Sequence, residues 1–143
     1  NGIWIYMLDG DAPVVPKTDI KGTILGKCMG VTIETTDMAR SVALWQALGF
    51  AITMGTAESG WVVVSAEGCP GVSIMKPLMC PHLFFNPSLT YFNGKVGNPV
   101  VIENVRKAGI PITEEISHFN KDGIVDNIII RDPGGYGFFL FND

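Results

Sequence analysis

Two four-residue stretches decide the fold: Ala47-Leu48-Gly49-Phe50 and Lys107-Ala108-Gly109-Ile110, which lie sixty positions apart. Each places a glycine at a predicted helix end, where the left-handed C′ position favours glycine, and an apolar residue at the start of the next strand. The strands predicted before the two helices keep the same offset. The sequence therefore predicts a duplicated supersecondary unit whose two copies share one core.

Two helices are predicted from capping and periodicity. The first spans 37–48, because a Thr-Thr-Asp run supplies an N-cap oxygen and apolar residues recur every three or four positions. The second begins with Asn98 as its N-cap and Pro99 at its first position, and it ends at Gly109. Short apolar runs predict strands over 29–35, 50–55, 61–66, 72–76, 89–93, 112–116, 127–131 and 136–141.

The element order β-α-β-β-β occurs twice and predicts an α+β fold. A unit of about fifty residues buries a poor core alone, so two βαβββ modules, 27–77 and 88–143, are expected to pair in one domain over 27–143. Residues 1–26 are predicted to be an N-terminal strand and linker. Two alternatives are open for that strand: it ends a further module outside this sequence, or it pairs with a sheet edge, here or in a dimer.

Composition excludes several classes of protein. The 143 residues are 47% hydrophobic and 17% charged, which excludes intrinsic disorder. A net charge of −4 without a basic cluster argues against nucleic acid as a partner, and no apolar run is long enough to span a membrane. The three cysteines form no CxxC pair, so they are expected to be reduced thiols in a soluble, cytoplasmic protein.

Four motifs carry a family resemblance. They are Asp37-Met38-Ala39-Arg40-Ser41, Leu44-Trp45-Gln46-Ala47-Leu48-Gly49-Phe50, Arg106-Lys107-Ala108-Gly109-Ile110-Pro111-Ile112 and Arg131-Asp132-Pro133-Gly134-Gly135-Tyr136. In order and spacing they resemble the vicinal oxygen chelate superfamily, which includes glyoxalase, bleomycin resistance proteins and extradiol dioxygenases. The resemblance implies two curved four-stranded sheets that form an open, incomplete barrel around a pocket.

The resemblance also locates four inward positions that carry metal ligands in metal-dependent members. They fall on Gly30, Ser73, Thr90 and Phe139. None of these side chains is a good ligand for a divalent cation. The usual metal site is therefore expected to be absent, and no cofactor is predicted; a divalent metal is the alternative, with ligands from Glu34, His82 or His118 or from a partner chain.

Glu34 is the candidate catalytic residue. By strand alternation it shares a face with Gly30 and Thr32, which the resemblance turns toward the pocket. A carboxylate there would orient a ligand amine or act as a base, unless it lies in water at the strand end. The residues predicted to line the pocket are Thr32, Glu34, Trp61, Ser73, Thr90, Phe92 and Phe139. Plain core packing is the competing interpretation of the aromatic residues.

Three functions follow as hypotheses. The leading one is metal-independent binding of a small planar or apolar molecule in an aromatic-lined pocket, as in bleomycin resistance proteins, by a homodimer. The alternative is a metal-dependent lyase, isomerase or dioxygenase with non-standard or partner-supplied ligands, so whether the chain is an enzyme stays open. The third is a regulatory or interaction module with a vestigial pocket.

Overall fold

The structure is a computed structural model that describes residues 22–77 and 87–142, together with Ile5, Met7, Asp9 and Gly10. The strand predicted near the N-terminus, most of its linker and His82 lie outside the described residues. The elements that the described residues form are β1 (Cys28–Glu34), α1 (Met38–Ala47), β2 (Ala51–Thr56), β3 (Trp61–Ser65), β4 (Gly71–Met75), β5 (Ser88–Phe92), α2 (Gly94–Lys107), β6 (Glu114–Ile116), β7 (Asn127–Arg131) and β8 (Gly137–Phe141).

The eight strands form one sheet in the order β2-β3-β4-β1-β5-β8-β7-β6. The central strands β1 and β5 are antiparallel, and each pairs in parallel with the last strand of its own module. From the centre outward, each module contributes its first, fourth, third and second strand in that order, as expected for a duplicated unit. Because β2 and β6 are outer edges, the sheet does not close. The predicted α+β fold of two paired βαβββ modules in an open barrel is confirmed.

Both helices end with the same hydrogen bonds. After α1, the Phe50 amide donates to the Trp45 carbonyl at 3.0 Å, and after α2 the Ile110 amide donates to the Val105 carbonyl at 3.3 Å. The glycine before each amide has a positive φ, 91° and 68° respectively. These bonds define a Schellman motif, which satisfies carbonyls that a helix end leaves open. The repeated Gly signal in the sequence therefore marks repeated geometry.

The predicted start of the second helix is wrong. α2 begins at Gly94 with Asn93 as its N-cap residue, so Pro99 lies inside the helix. The Asn98 side chain is fully buried, and its Nδ2 donates to two backbone carbonyl oxygens of the second module. The side-chain amide of Asn98, predicted to cap the helix, is instead paired by these tertiary hydrogen bonds. Pro99 consequently costs the helix one internal hydrogen bond.

Each helix packs on the outer face of its own module. The buried cluster under α1 includes Ile33, Val42 and Val62, and the cluster under α2 includes Ile102 and Val105. Successive strand residues alternate, so their neighbours lie on the opposite face, called the inner face below. Among the described residues, neither helix has the length and apolar character needed to cross a membrane.

Candidate functional site

The inner face carries a cavity of about 460 Å³, called the inner pocket below. Six strands contribute to it, mostly those of the first module together with β5 and β8. Its walls are largely apolar, with a few hydroxyl groups. The residues that line it are Met29, Gly30, Val31, Thr32, Met54, Trp61, Val63, Gly71, Ser73, Met75, Thr90, Phe92 and Phe141.

Five of the seven residues predicted for a pocket lie in this lining: Thr32, Trp61, Ser73, Thr90 and Phe92. Strand alternation brings them together, since each occupies a position that faces away from the helices. Their role in binding stays a prediction. The other two residues, Glu34 and Phe139, lie elsewhere.

Three hydroxyl groups form a row across the inner pocket. Thr32 and Ser73 are directly opposite on β1 and β4, and the Thr32 and Thr90 hydroxyls are hydrogen-bonded to each other at 2.5 Å across the module boundary. Ser73 Oγ accepts a hydrogen bond of 2.7 Å from Trp61 Nε1. This bond holds the indole against the pocket wall. The polar side chains of the lining are thus the uncharged hydroxyl groups of this row and the Trp61 indole.

Aromatic rings stand on both sides of that row. Trp61 lies on the β3 side, while Phe92 and Phe141 lie on the β5–β8 side with their rings stacked, centroids 5.0 Å apart and planes 15° apart. Phe139, also predicted for the pocket, is instead fully buried and packs with Met75. Its ring centroid lies 3.5 Å from that of Phe141. Phe139 therefore packs beside Phe141 on the same face of β8, next to the inner pocket.

Several lining residues were absent from the sequence prediction. Gly71 and Met75 share the inner face with Ser73, and Val63 shares it with Trp61, so strict alternation would have found all three. Met54 is harder to predict, because the β2–β3 pairing shifts register between Ile52 and Met54. A β-bulge changes which side chains face inward, and sequence periodicity does not reveal it.

Glu34 ends β1, opposite Met75 in the β1–β4 ladder. Its side chain is half-buried and does not belong to the pocket lining. Partial burial raises the pKa of this carboxyl above its usual value of 4.5, because desolvation disfavours the charged form. A catalytic role for Glu34 stays a prediction, and its ladder partner Met75 does line the inner pocket.

The residues at the superfamily's four metal-ligand positions do not fit a metal. Gly30 has a φ of +136°, and a Cβ built on it would overlap the Gly71 carbonyl oxygen at 1.9 Å, so no side chain fits there. Thr90 lies directly opposite both Gly30 and Phe139, in the β1–β5 and β5–β8 ladders. Within the ranges 22–77 and 87–142, no group of three His, Cys, Asp or Glu residues is placed to hold a metal ion.

His118 lies in the β6–β7 connection and not in the inner pocket. Its side chain is exposed, and its ring centroid is 4.2 Å from that of Phe119. The structure therefore does not bring together Glu34 and His118, the two described residues of the alternative metal set, at the inner pocket.

Comparison with known proteins supports the fold. No protein-family model matches the chain, and no curated protein does. Among solved structures, a glyoxalase/bleomycin resistance protein/dioxygenase superfamily member from Vibrio splendidus 12B01 matches with a TM-score of 0.50 and 15% identity, over 78% of this chain and 94% of that chain. A structure from Legionella pneumophila described as an NAD-dependent benzaldehyde dehydrogenase matches with a TM-score of 0.62 and 9% identity, over 78% and 95%.

The chain has the fold of the glyoxalase/bleomycin resistance protein/dioxygenase superfamily, the vicinal oxygen chelate fold. The resemblance of the helix-end and turn motifs is thus confirmed at the level of fold. At identities of 15% and 9%, the two matches carry neither a substrate nor a reaction to this chain.

Proposed function

We propose that this protein binds a small planar or apolar molecule in the inner pocket without a metal ion. The observation that supports the proposal is the lining itself: aromatic and aliphatic walls around about 460 Å³ with three hydroxyl groups. Ligand pockets of roughly 300–1,000 Å³ have this composition, with few polar groups that fix orientation. The volume accommodates a bicyclic aromatic compound.

The expected driving force is removal of apolar surface from water. Phe92, Phe141 and Trp61 place aromatic rings in the lining, and aromatic contacts with a planar guest contribute about 0.5–1.5 kcal/mol each beyond the area they bury. The Trp61 indole is already fixed by Ser73. Binding therefore loses little side-chain entropy on that wall.

Metal independence is supported by the side chains at the expected ligand positions, where Gly30 admits no side chain at all. The metal-dependent alternative makes a distinct prediction. Elemental analysis and thermal shifts with Fe²⁺, Mn²⁺, Zn²⁺ and Ni²⁺ would then reveal a stoichiometric metal that stabilises the protein. Such a metal, retained at the inner pocket, would overturn the proposal.

The binding claim is tested by titrating naphthalene, a neutral planar probe, in isothermal calorimetry. We expect one site per chain, and a Phe92→Ala variant with weaker binding, because half of the stacked Phe92–Phe141 wall is removed. Phe119→Ala is the matched control: its ring is 61% exposed and lies outside the inner pocket. Equal affinities for the two variants would contradict the proposed site.

We propose a homodimer as the assembled form. β2 is an edge strand exposed along its whole length, and it presents the apolar side chains Ile52 and Met54. Exposed apolar edges favour pairing with another chain. Light scattering coupled to gel filtration measures the mass, and a monomer at micromolar concentration would contradict this part. Neither nucleic acid nor a membrane is proposed as a partner.

A cytoplasmic location is proposed from the thiols. Cys28 and Cys69 are both free and exposed, as is typical of proteins in a reducing compartment. Fractionation of cells that express the native protein tests this location.

A further inference from the structure

We infer that the ligand of the inner pocket is an uncharged aromatic compound whose ring carries a hydrogen-bond-accepting oxygen, such as a ketone or quinone carbonyl. This inference rests on the proposed function and gives it a ligand class. Three observations support it: the charge of the lining, the unused protons of its hydroxyl groups, and the order of these groups across the sheet.

The lining excludes a charged ligand. Among the described residues that form the inner pocket, none is Asp, Glu, Lys, Arg or His. A carboxylate, phosphate or ammonium group would lose its hydration there without gaining an opposite charge, which is strongly unfavourable. A neutral ligand avoids that cost.

The hydroxyl groups have protons left to donate. Indole N–H is a donor only, so Ser73 Oγ must accept in its 2.7 Å bond with Trp61 and keeps its own proton. In the Thr32–Thr90 pair, one hydroxyl donates to the other, and the accepting hydroxyl keeps its proton. Two O–H donors therefore remain at the inner pocket among the described side chains.

Buried donors without an acceptor are less tolerated than acceptors with a spare lone pair. A carbonyl oxygen has two lone pairs and no proton, so it accepts from either donor. A ligand that offered only hydrogen-bond donors would leave these protons unpaired. The hydroxyl row consequently favours an acceptor.

The order of the strands orients the ligand. Trp61 on β3 and the Phe92–Phe141 pair on β5 and β8 lie on opposite sides of the hydroxyl row on β4, β1 and β5. A ring that contacts both aromatic walls therefore lies over the row. Its carbonyl oxygen points to the hydroxyl groups at the centre of the sheet.

Three probes of nearly equal shape test the inference: 2-acetylnaphthalene, 2-isopropenylnaphthalene and 2-naphthoate. They present a ketone, a hydrocarbon and an anion on the same ring system. In calorimetric titrations of the full chain we expect the ketone to bind about fivefold more tightly than the hydrocarbon, as one hydrogen bond would provide. The anion should bind most weakly.

A double variant, Thr32→Val with Thr90→Val, removes both hydroxyls while keeping side-chain shape. The ratio of ketone to hydrocarbon affinity should then fall, because only the Ser73 donor remains. Thr113→Val, at an exposed position outside the inner pocket, is the matched control and should keep the full ratio. If the double variant does not fold, Ser73→Ala provides a second test, because it removes the other donor.

The outcomes separate this inference from the proposed function. Equal affinity for ketone and hydrocarbon, tighter binding of the anion, or an unchanged ratio in both the threonine double variant and Ser73→Ala would overturn the inference and leave apolar binding intact. Failure of all three probes to bind would overturn both.

Discussion

The last strands of the two modules are equivalent in the fold and different in what they build. β4 has the sequence Gly-Val-Ser-Ile-Met and β8 has Gly-Phe-Phe-Leu-Phe. Each pairs in parallel with the first strand of its module, and Ser73 and Phe139 are the middle residues of the two strands. Ser73 faces the inner pocket, whereas Phe139 is fully buried. The inner face is therefore packed where β8 carries the large Phe139 side chain and open where β4 carries the small Ser73 side chain.

The buried faces of the two helices also differ. Counted back from the matching helix ends, Met38 of α1 corresponds to Asn98 of α2, and both side chains are buried. Met38 packs in the apolar cluster under its helix. Asn98 instead donates to the carbonyl oxygens of Asp126 and Leu140 and accepts from Asn93 Nδ2. The second module thus uses hydrogen bonds where the first uses apolar contact.

The largest expected effect is a loss of stability at Phe139, the buried position in the comparison of β4 with β8. Phe139→Ala should lower the free energy of unfolding by about 3–5 kcal/mol, because it leaves a cavity among fully buried neighbours. Ser73→Ala should cost only about 1 kcal/mol, from the lost hydrogen bond with Trp61. Urea denaturation measures both. Similar costs at the two positions would contradict the contrast.

Asn98→Ala tests the buried hydrogen bonds that α2 makes through Asn98. Removal of the buried amide leaves its partner groups unpaired, so the expected loss is about 2 kcal/mol in the free energy of unfolding. Asn104→Ala, an exposed position on the same helix, is the control and should change stability by less than about 0.5 kcal/mol. Equal effects of the two variants would contradict a specific contribution of the Asn98 hydrogen bonds.

Gly71→Leu adds a large side chain to the lining of the inner pocket. A Cβ at Gly71 meets its nearest atom at 3.4 Å, so the backbone tolerates a side chain that then occupies the inner pocket. Affinity for naphthalene should fall by about tenfold or more, because the guest and the new side chain compete for the same space. Ala51→Leu adds bulk at an exposed strand position outside the lining. If both variants bind alike, the pocket is not the binding site.

The smallest expected effect concerns Glu34, which ends β1 and pairs with Met75, as Phe92 ends β5 and pairs with Phe141. Burial raises the pKa of Glu34 in the folded state. The contribution of this shift to the free energy of unfolding is therefore fully present below the usual pKa of 4.5 and is lost as the pH rises through the raised pKa. Glu34→Gln should therefore become relatively more stabilising between about pH 4 and pH 7. Urea denaturation at both pH values measures this, with the exposed Glu58→Gln as control. A pH-independent difference would contradict it.

The sequence was sufficient to predict most of the fold. Glycine at helix ends and alternating apolar residues report local geometry, so Gly49, Gly109 and the strands of both modules could be located from the sequence. The start of α2 could not, because Asn98 and Pro99 form an ordinary N-terminal signal that tertiary hydrogen bonds override.

The candidate site could be predicted only as far as alternation holds. Thr32, Ser73 and Thr90 follow from it together with the inward positions that the superfamily resemblance implies. Phe139 satisfies the same alternation and is nevertheless in the core, because Met75, Ile116 and Ile129 fill the space on its side of the sheet. Alternation gives the face of a side chain; whether that face is filled depends on contacts between distant strands.

Gly30 has a consequence for protein engineering. Its backbone lies so close to the Gly71 carbonyl that even a methyl group would overlap it. A designer who wished to give this scaffold a catalytic metal could not begin by restoring a histidine there. The β1–β4 ladder would first have to be rebuilt, or the ligands placed at Thr32, Ser73 and Thr90. At Gly30 the obstacle is backbone geometry, so a change of side chain alone would not place a ligand there.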